Sequence, residues 1–255
     1  MNSEDKLARS LTAESTELIA FLPYLLQDLW ELGSSPEDMI ELLSRHVNAS
    51  RTTRVLDLAC GKGAVSVRIA QALGCRVKGI DMMPDFIDYA RKKAEQYSVS
   101  SLCIFSVGDI TEAVKVERNY DIVILGAVGD VLGSPDKTIE QLKDTVKPGG
   151  YILIDDGYGQ QGADIDYYTR EEWLEICRNH GVRLVDEKLI ALEEVERIND
   201  EQQRHIRRRA EELKQRYPDQ GHLFDSYIAS QQAECDMLEQ DISGVTMLLQ
   251  EAGHE

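Results

Sequence analysis

The chain has 255 residues, which is enough for one large α/β domain or two small ones. Hydrophobic residues make up 42% and charged residues 29% of the sequence, a balance that excludes a largely disordered chain. The formal net charge is −18 at pH 7. Because nucleic-acid binding depends on the neutralisation of phosphates by basic side chains, we expect no nucleic-acid partner.

The sequence shows no pattern of a targeting or membrane segment. Residues 1–14 are polar and lack a basic stretch that leads into an apolar one, and no apolar run approaches the ~20 residues of a membrane span. The five cysteines include no CxxC pair, and no histidine lies at metal-ligand spacing from them. We therefore expect a cytoplasmic protein with free thiols, no membrane contact and no metal site.

Helical patterns fill the first fifty residues. Leucines recur at helical spacing between Leu18 and Leu32. Ser35 is followed by a proline and has Asp38 three residues further on, a pattern typical of a helix N-terminus. We therefore expect residues 1–50 to be largely helical.

Short apolar strands alternate with helical stretches from Arg54 onward. Six strands are predicted, at residues 54–59, 76–81, 102–107, 120–125, 151–155 and 182–191. This alternation is typical of a mostly parallel sheet with helices on both faces. We therefore predict an α/β fold with a doubly wound, mostly parallel sheet.

The alternation stops after the sixth strand. Residues 193–241 are strongly charged, and two amphipathic helical stretches separated by a turn can be drawn through them. The apolar pattern of residues 244–250 predicts a last strand. Since no internal repeat or low-complexity linker interrupts the sequence, we expect one domain over residues 1–255, with a core at 54–191 and a helical insertion at 193–241.

Glycines and carboxylates end the first four predicted strands. Asp57 and the loop Gly61-Lys-Gly63 end the first, Asp81 the second, Asp109 the third and Gly126 the fourth. In an open parallel sheet, ligands bind at the carboxyl ends of the strands, and glycines let a ligand approach the backbone before a helix N-terminus. A carboxylate at the position of Asp81 can accept both hydroxyls of a ribose. The pattern therefore predicts a nucleoside-like ligand.

Two ligand classes compete for this pattern, dinucleotides and S-adenosylmethionine. The dinucleotide fingerprint GxGxxG has a third glycine for close helix–strand packing, and here Ser66 stands in its place. A carboxylate at Asp57, within the first strand, has no use beside a pyrophosphate. It does suit a ligand with an α-amino group and a positive sulfonium. Both observations favour S-adenosylmethionine.

Five segments together resemble the successive motifs of the class I S-adenosylmethionine-dependent methyltransferases. They are VLDLACGKG at 55–63, GID at 79–81, GDI at 108–110, YDIVI at 120–124 and KPGGYIL at 147–153. They follow the family's order and spacing, with Ala59 where many members have glycine. The resemblance implies a Rossmann-like methyltransferase fold with helical additions. Its seven-stranded sheet would have the order 3-2-1-4-5-7-6, with the seventh strand antiparallel.

The resemblance also implies nine cofactor-binding positions, which are Asp57, Ala59, Gly61, Gly63, Asp81, Met82, Asp109, Ile110 and Gly126. The first four would line the methionine moiety and the ribose, and Asp81 would hold the ribose hydroxyls. Met82 would pack on the adenine, Asp109 would accept a hydrogen bond from its amino group, and Ile110 would lie against the ring. Gly126 would offer its backbone carbonyl to the methionine amino group.

An enzyme of this type moves the sulfonium methyl group to an acceptor by direct in-line transfer. The segment after the fourth strand, Gly126-Ala-Val-Gly-Asp130, lacks the Asn/Asp-Pro-Pro motif of DNA amino-methyltransferases and the Pro-Cys of cytosine-C5 enzymes. We therefore expect a small-molecule acceptor. Two alternatives stay open: a protein side chain as the acceptor, and a protein that binds the cofactor without transferring methyl.

Further residues are candidates for roles around the acceptor. If the acceptor arrives protonated, the candidate proton acceptors are Asp130, Asp155, Asp156, Tyr158 and His205. Tyr24 and Trp30 would either belong to a helical cover, formed by residues 1–50, over the active site, or pack within the core. Cys60 in the glycine loop is expected to be a small side chain beside the ligand rather than a nucleophile.

The helical insertion is expected to dock beside the strand ends and to shape the acceptor pocket. Its arginines Arg204, Arg207 and Arg208 lie on one helix face, three and four residues apart. Two interpretations are open for them. Either they pair with acidic neighbours on the surface, or one of them, or His205, meets an anionic acceptor.

Overall fold

A computed structural model describes residues 2–160 and 167–253. Its strands are β1 (Arg54–Leu58), β2 (Arg76–Asp81), β3 (Cys103–Val107), β4 (Tyr120–Gly126), β5 (Val146–Gly159), β6 (Val182–Leu189) and β7 (Ile242–Glu251). Its α-helices are α1 (Ser3–Ser10), α2 (Leu22–Leu25), α3 (Pro36–His46), α4 (Ala64–Leu73), α5 (Pro84–Gln96), α6 (Ile110–Val116), α7 (Pro135–Thr145), α8 (Arg170–Asn179), α9 (Leu192–Arg216) and α10 (Gly221–Gln240). Short 3-10 turns cover Thr16–Ala20, Gly129–Leu132 and Pro218–Gln220.

The seven strands form one sheet in the order β3-β2-β1-β4-β5-β7-β6. The first five strands pair in parallel, and β7 pairs antiparallel with both β5 and β6. Helices α9 and α10 form a hairpin between β6 and β7. The chain therefore re-enters the sheet at the same end at which β6 leaves it, so β7 runs antiparallel to β6. The predicted fold class and strand order are confirmed.

Two apolar clusters cover the two faces of the sheet. On one face, α6, α7 and α8 pack against the sheet around Ile139, Leu142 and Trp173. On the other face, α3, α4 and α5 contribute side chains such as Leu42 and Ile87, which are fully buried. Helix α3 therefore belongs to a core layer, because its apolar stripe lies against the sheet, whereas the chain before it packs outside the two layers.

A third apolar cluster joins parts of the chain that are far apart in sequence. Leu18, Leu22 and Leu25 of the N-terminal segment (residues 3–34) pack with Phe224 and Tyr227 of the helical pair (α9 and α10). All five side chains are almost completely buried. Burial of each large apolar side chain stabilises the fold by about 1.5–3 kcal/mol. The helical pair is therefore held to the N-terminal segment by a core of its own.

Strand β5 is longer than predicted. It pairs with β7 from Tyr151, opposite Gln250, through to Gly159, opposite Ile242. The antiparallel partner satisfies the backbone groups beyond the expected end of the strand at Asp155. Asp156 and Tyr158, which lie beyond the predicted end of the strand, are therefore within it.

Within the described residues, no helix is long and apolar enough to cross a membrane. The same residues contain no group of three or more histidine, cysteine, aspartate and glutamate side chains arranged to hold a metal ion. All five cysteines are buried and unpaired.

Glycines at the two ends of α4 provide a matched pair for a stability test. Gly63 has a φ of 75° and Gly74 a φ of 66°, so alanine at either position costs about 1–2 kcal/mol of left-handed strain. A Cβ atom on Gly63 would also lie 2.6 Å from the Cβ of Ala90, whereas at Gly74 it would meet nothing within 4 Å. We expect Gly63→Ala to lower the free energy of unfolding by roughly 1–3 kcal/mol more than Gly74→Ala, because of overpacking. Urea denaturation measures both, and equal losses would contradict the packing argument.

Candidate functional site

A cleft opens at the carboxyl ends of the parallel strands. It has a volume of about 970 Å³, including its mouth, and receives residues from the ends of β1, β2 and β4. Its other wall comes from the N-terminal segment, through α1 and residues 30–34. The strand ends meet here because parallel strands joined by helices all terminate at the same edge of the sheet.

Eight of the nine predicted cofactor positions line this cleft, namely Asp57, Ala59, Gly61, Asp81, Met82, Asp109, Ile110 and Gly126. Gly63 does not line it, which corrects the role expected for that residue. It lies at the N-terminus of α4 and faces Ala90 of α5. Its lack of a side chain therefore serves the packing of the two helices beneath the loop.

Asp57 is a buried carboxyl group at the bottom of the cleft. Only 3% of the residue is exposed, and the hydroxyl of Ser66 donates a hydrogen bond to its Oδ2 at 2.5 Å. Burial raises the pKa of Asp57 to about 7, and the charge of Asp81 adds to the effect. None of the ion pairs among the described residues includes Asp57, so a cation in the cleft would stabilise its ionised form.

Asp81 organises the backbone around the first two strand ends. Its Oδ2 accepts a hydrogen bond from the N–H of Gly61 at 2.9 Å, and its Oδ1 accepts one from the N–H of Met83 at 2.8 Å. The residue is buried, and burial raises its pKa above the usual value. Each oxygen retains capacity for a further donor, since an ionised carboxylate offers about four acceptor sites.

Asp109 links the third strand end to α1. Its Oδ1 accepts from the N–H and hydroxyl of Thr111 and so caps α6, while its Oδ2 accepts from the hydroxyl of Ser3 at 2.6 Å. Burial opposes ionisation, but these hydrogen bonds lower the pKa of Asp109 overall. Lys6, also on α1, donates to the carbonyl of Val131 at 2.9 Å. Helix α1 is thus fastened across the cleft at two points.

Two small residues allow other groups to approach the cleft closely. At Gly126, a side chain would collide with the hydroxyl of Ser34. Ala59 has a φ of 55°, in the left-handed region that favours glycine. This conformation explains why glycine is common there in the family that the motifs resemble, and it costs about 1–2 kcal/mol with alanine.

Comparison with known families decides the class of protein. A family model for a methyltransferase domain matches residues 49–241, well over half of the chain. The chain belongs to the class I S-adenosylmethionine-dependent methyltransferases. The family predicted from the five sequence motifs is therefore confirmed.

The curated relatives of this chain are similar to it over only part of its length. The putative methyltransferase YqeM of Bacillus subtilis is 29% identical over 143 residues, which are 54% of this chain and 51% of YqeM. The ubiquinone biosynthesis O-methyltransferase of Shewanella pealeana is 34% identical over 103 residues, 40% of this chain and 42% of that enzyme. The chain thus spans about half, or less, of the length of these curated relatives.

A solved structure shares the fold over nearly the whole chain. A SAM-dependent methyltransferase from Geobacter sulfurreducens, in complex with S-adenosyl-L-homocysteine, superimposes with a TM-score of 0.76. The match covers 90% of this chain and 97% of that one, at 20% sequence identity.

The cleft of this methyltransferase also contains residues for which the sequence offered no pattern, among them Ser3, Lys6, Glu31, Ser34 and Lys62. All but Lys62 come from the N-terminal segment. Trp30 lines the cleft as expected of a cover, whereas Tyr24 does not and instead donates a hydrogen bond to Glu212 of α9. These positions depend on contacts between distant parts of the chain, which local patterns do not encode.

Cys60 lies in the lining but is unsuited to nucleophilic attack. Burial raises the pKa of its thiol well above the usual value, and the charges of Asp57 and Asp81 add to this. Since only the thiolate is a good nucleophile, the structure favours the interpretation as a small side chain beside the ligand.

None of the five candidate proton acceptors lines the cleft. Asp155 lies behind Ser34 and accepts a hydrogen bond from Thr246, and burial raises its pKa to about 6. Burial likewise raises the pKa of Asp156 to about 6, and Tyr158 donates to Glu187 away from the cleft. Asp130 is exposed beside Arg9, and His205 lies near Asp28.

The residues that line the cleft do not include Arg204, Arg207 or Arg208 of the insertion either. Arg208 donates to Asp28 at 2.8 Å, Arg207 donates to Gln232, and Arg204 donates to a carbonyl of its own helix. Arg208 therefore pairs with an acidic side chain, in agreement with the first of the two interpretations. Arg209 makes the stronger contact with the N-terminal segment, because it donates to both carboxylate oxygens of Asp28, at 2.6 and 2.8 Å. The spacing of the arginines along the helix did not single out this residue.

Arg209 therefore fastens α9 to the N-terminal segment. We expect Arg209→Ala to lower the free energy of unfolding by about 1–2 kcal/mol, since a bidentate charge-assisted pair is lost at a position only 20% exposed. Arg204→Ala is the matched control, and its effect should stay within about 0.5 kcal/mol. Urea denaturation of both variants provides the measurement, and losses of equal size would contradict the role of the pair.

Proposed function

We propose that this protein binds S-adenosylmethionine in the cleft and transfers its methyl group directly to a small-molecule acceptor. The observation that carries the proposal is the pair of buried carboxyl groups, Asp57 and Asp81, at adjacent strand ends of an apolar cleft. S-adenosylmethionine presents a cation to the first and a ribose diol to the second. A family model that spans residues 49–241 supports the same assignment.

Each part of the ligand has a counterpart in the lining. The positive methionine moiety would lie over Asp57 and the carbonyl of Gly126, and the ribose hydroxyls would donate to Asp81. Met82 and Ile110 provide an apolar slot for the adenine, with Asp109 at its rim. Since Ser3 already donates to Asp109, the adenine amino group would be the second donor to that oxygen.

Catalysis would rest mainly on orientation. The sulfonium is already a strong methyl donor, so alignment of the acceptor in line with the methyl group can supply ~7–11 kcal/mol of the barrier reduction. None of the five candidate proton acceptors lines the cleft. A nucleophile that arrives unprotonated, or that loses its proton to solvent, fits this arrangement best.

A small acceptor suits the covered site. Helix α1 and residues 30–34 form one wall of the cleft, which limits access for a folded protein. The acidic charge of −18 disfavours nucleic acid, and the five buried thiols suit a reducing cytoplasm. The ubiquinone biosynthesis O-methyltransferase among the relatives is named for a small-molecule pathway. Two other functions, methylation of a protein side chain and cofactor binding without transfer, predict different results in the label-transfer experiment.

Methyl transfer is tested with S-adenosylmethionine labelled in its methyl group and a metabolite extract. We expect label in small molecules with the wild-type protein and much less with Asp81→Asn. Loss of one charge-assisted hydrogen bond to the ribose should weaken cofactor binding by about 1.5–3 kcal/mol, roughly 10- to 100-fold. Asparagine is preferable to alanine because its one side-chain oxygen can still accept from one of the two backbone N–H groups that Asp81 binds.

The exposed Asp85, on the first turn of α5, provides the control, since Asp85→Asn removes the same charge outside the cleft. Calorimetry with S-adenosylhomocysteine measures the affinities. Binding of NAD in place of this ligand would refute the cofactor assignment. Tight binding without any labelled product would favour the binding-protein alternative, and label in protein alone would favour a side-chain acceptor.

The pH dependence of cofactor binding provides a separate prediction. Burial raises the pKa of Asp57 to about 7, so the free protein carries a neutral carboxyl group at pH 6. A cationic ligand favours the ionised form, so binding releases a proton below pH 7 and the affinity rises with pH. Between pH 6 and pH 8 we expect the affinity for S-adenosylmethionine to rise about tenfold. Asp57→Asn should abolish the increase, and an unchanged slope in this variant would assign the titration to another group.

A further inference from the structure

Lys62 is a buried lysine in the middle of the glycine loop. Only 3% of the residue is exposed, and its Nζ donates hydrogen bonds to the carbonyls of Leu26 and Leu29, each at 2.5 Å. Both carbonyls belong to the N-terminal segment, just after α2. A side chain from the glycine loop thus caps a turn that lies directly before the residues of the opposite cleft wall.

The surroundings of this ammonium group are unusual for a buried charge. Its Nζ lies 4.7 Å from the ring centre of Tyr89 and 5.8 Å from that of Phe86, both on α5. Among the described residues, none of the ion pairs includes Lys62. Burial lowers its pKa to about 8, although the charge of Asp28 opposes the shift. Because an uncompensated buried charge is costly, the two carbonyls and the aromatic rings are the groups that make the position tolerable.

The backbone of the same residue receives a second contact from the N-terminal segment. The indole Nε1 of Trp30 donates to the carbonyl oxygen of Lys62 at 3.0 Å. Trp30 and the two residues after it line the cleft. Lys62 therefore holds the N-terminal segment by its side chain and is held by it through its backbone.

We propose that Lys62 is a positioning residue that couples the cofactor-binding loop to the N-terminal segment, so that cofactor binding and docking of residues 22–32 stabilise each other. The inference rests on the proposed function, in that the cofactor would bind in the cleft that residues 59–62 line. A ligand that fixes the backbone of this loop also fixes the root of the lysine side chain. The ammonium group of Lys62 is then held where it binds the carbonyls of Leu26 and Leu29. This contact positions Trp30, which follows Leu29 directly, at the wall of the cleft.

Amide hydrogen exchange and calorimetry on the full chain, with S-adenosylhomocysteine as the probe, test this coupling. In the wild-type protein, the ligand should slow exchange in residues 22–32. Lys62→Met keeps the apolar stem and removes the donors. It should abolish this ligand-dependent slowing and weaken S-adenosylhomocysteine binding about tenfold.

Lys93→Met is the matched control. The Nζ of Lys93 lies 4.5 Å from the ring centre of Trp30 and 5.4 Å from that of Tyr89, yet it donates to neither carbonyl. This variant should keep both the ligand-dependent slowing and the wild-type affinity. A lysine that acts only through the aromatic cluster would make the two variants alike, which would overturn the proposal.

A second variant decides the matter if Lys62→Met fails to fold. Trp30→Phe keeps an aromatic ring in place and removes the N–H that reaches Lys62 together with part of the indole ring. We expect it to reduce the ligand-dependent slowing and to weaken binding about threefold to tenfold. Wild-type behaviour of the folded variants would overturn the coupling. Uniformly faster exchange with and without ligand, at unchanged affinity, would also overturn it by assigning Lys62 a purely structural role.

The wild-type measurement separates this inference from the proposed function. Wild-type protein that binds no S-adenosylhomocysteine would overturn both. Wild-type binding together with an indifferent Lys62→Met would overturn the coupling alone.

Discussion

Two buried carboxyl groups, Asp57 and Asp81, meet at the ends of neighbouring parallel strands, and none of the described ion pairs supplies a cation for them. The rest of the site depends on this arrangement. Desolvation raises the pKa of Asp57 to about 7, and a positive group in the cleft would stabilise its ionised form. Asp81 accepts hydrogen bonds from backbone N–H groups through both of its oxygens. The parallel sheet makes this arrangement possible, because both strands end at the same edge and a helix follows each of them.

The wall of the cleft opposite the strand ends comes from the N-terminal segment, and the helical pair packs against this segment without lining the cleft. The N-terminal segment has no apolar layer of its own and buries its leucines against the helical pair and against Met83 and Phe86 of the core. The ion pair of Asp28 with Arg209, and the two carbonyls bound by Lys62, fix its position. Insertion and N-terminus therefore form one structural unit, although more than 150 residues separate them in sequence.

Local patterns in the sequence were sufficient for the sheet and for the strand-end residues. Strand periodicity, glycines and acidic strand ends act within a few residues, so Asp57, Asp81 and Asp109 could be located without coordinates. The length of β5 could not, because it depends on pairing with β7 almost a hundred residues later. Lys62 escaped detection for the same reason, since its partners lie on another segment. On the arginine-rich helix, spacing alone could not tell the residue that binds Asp28 from its neighbours.

Helix α1 is anchored far less firmly than the leucine-rich turns that follow it. Ala8 is its one buried residue, and polar contacts through Ser3 and Lys6 hold it across the cleft. Leu18, Leu22 and Leu25 are fully buried by contrast. Detaching α1 exposes little apolar surface, whereas detaching the leucines would expose a core. The part of the cleft wall that α1 forms therefore costs less free energy to open than the part that the leucines anchor.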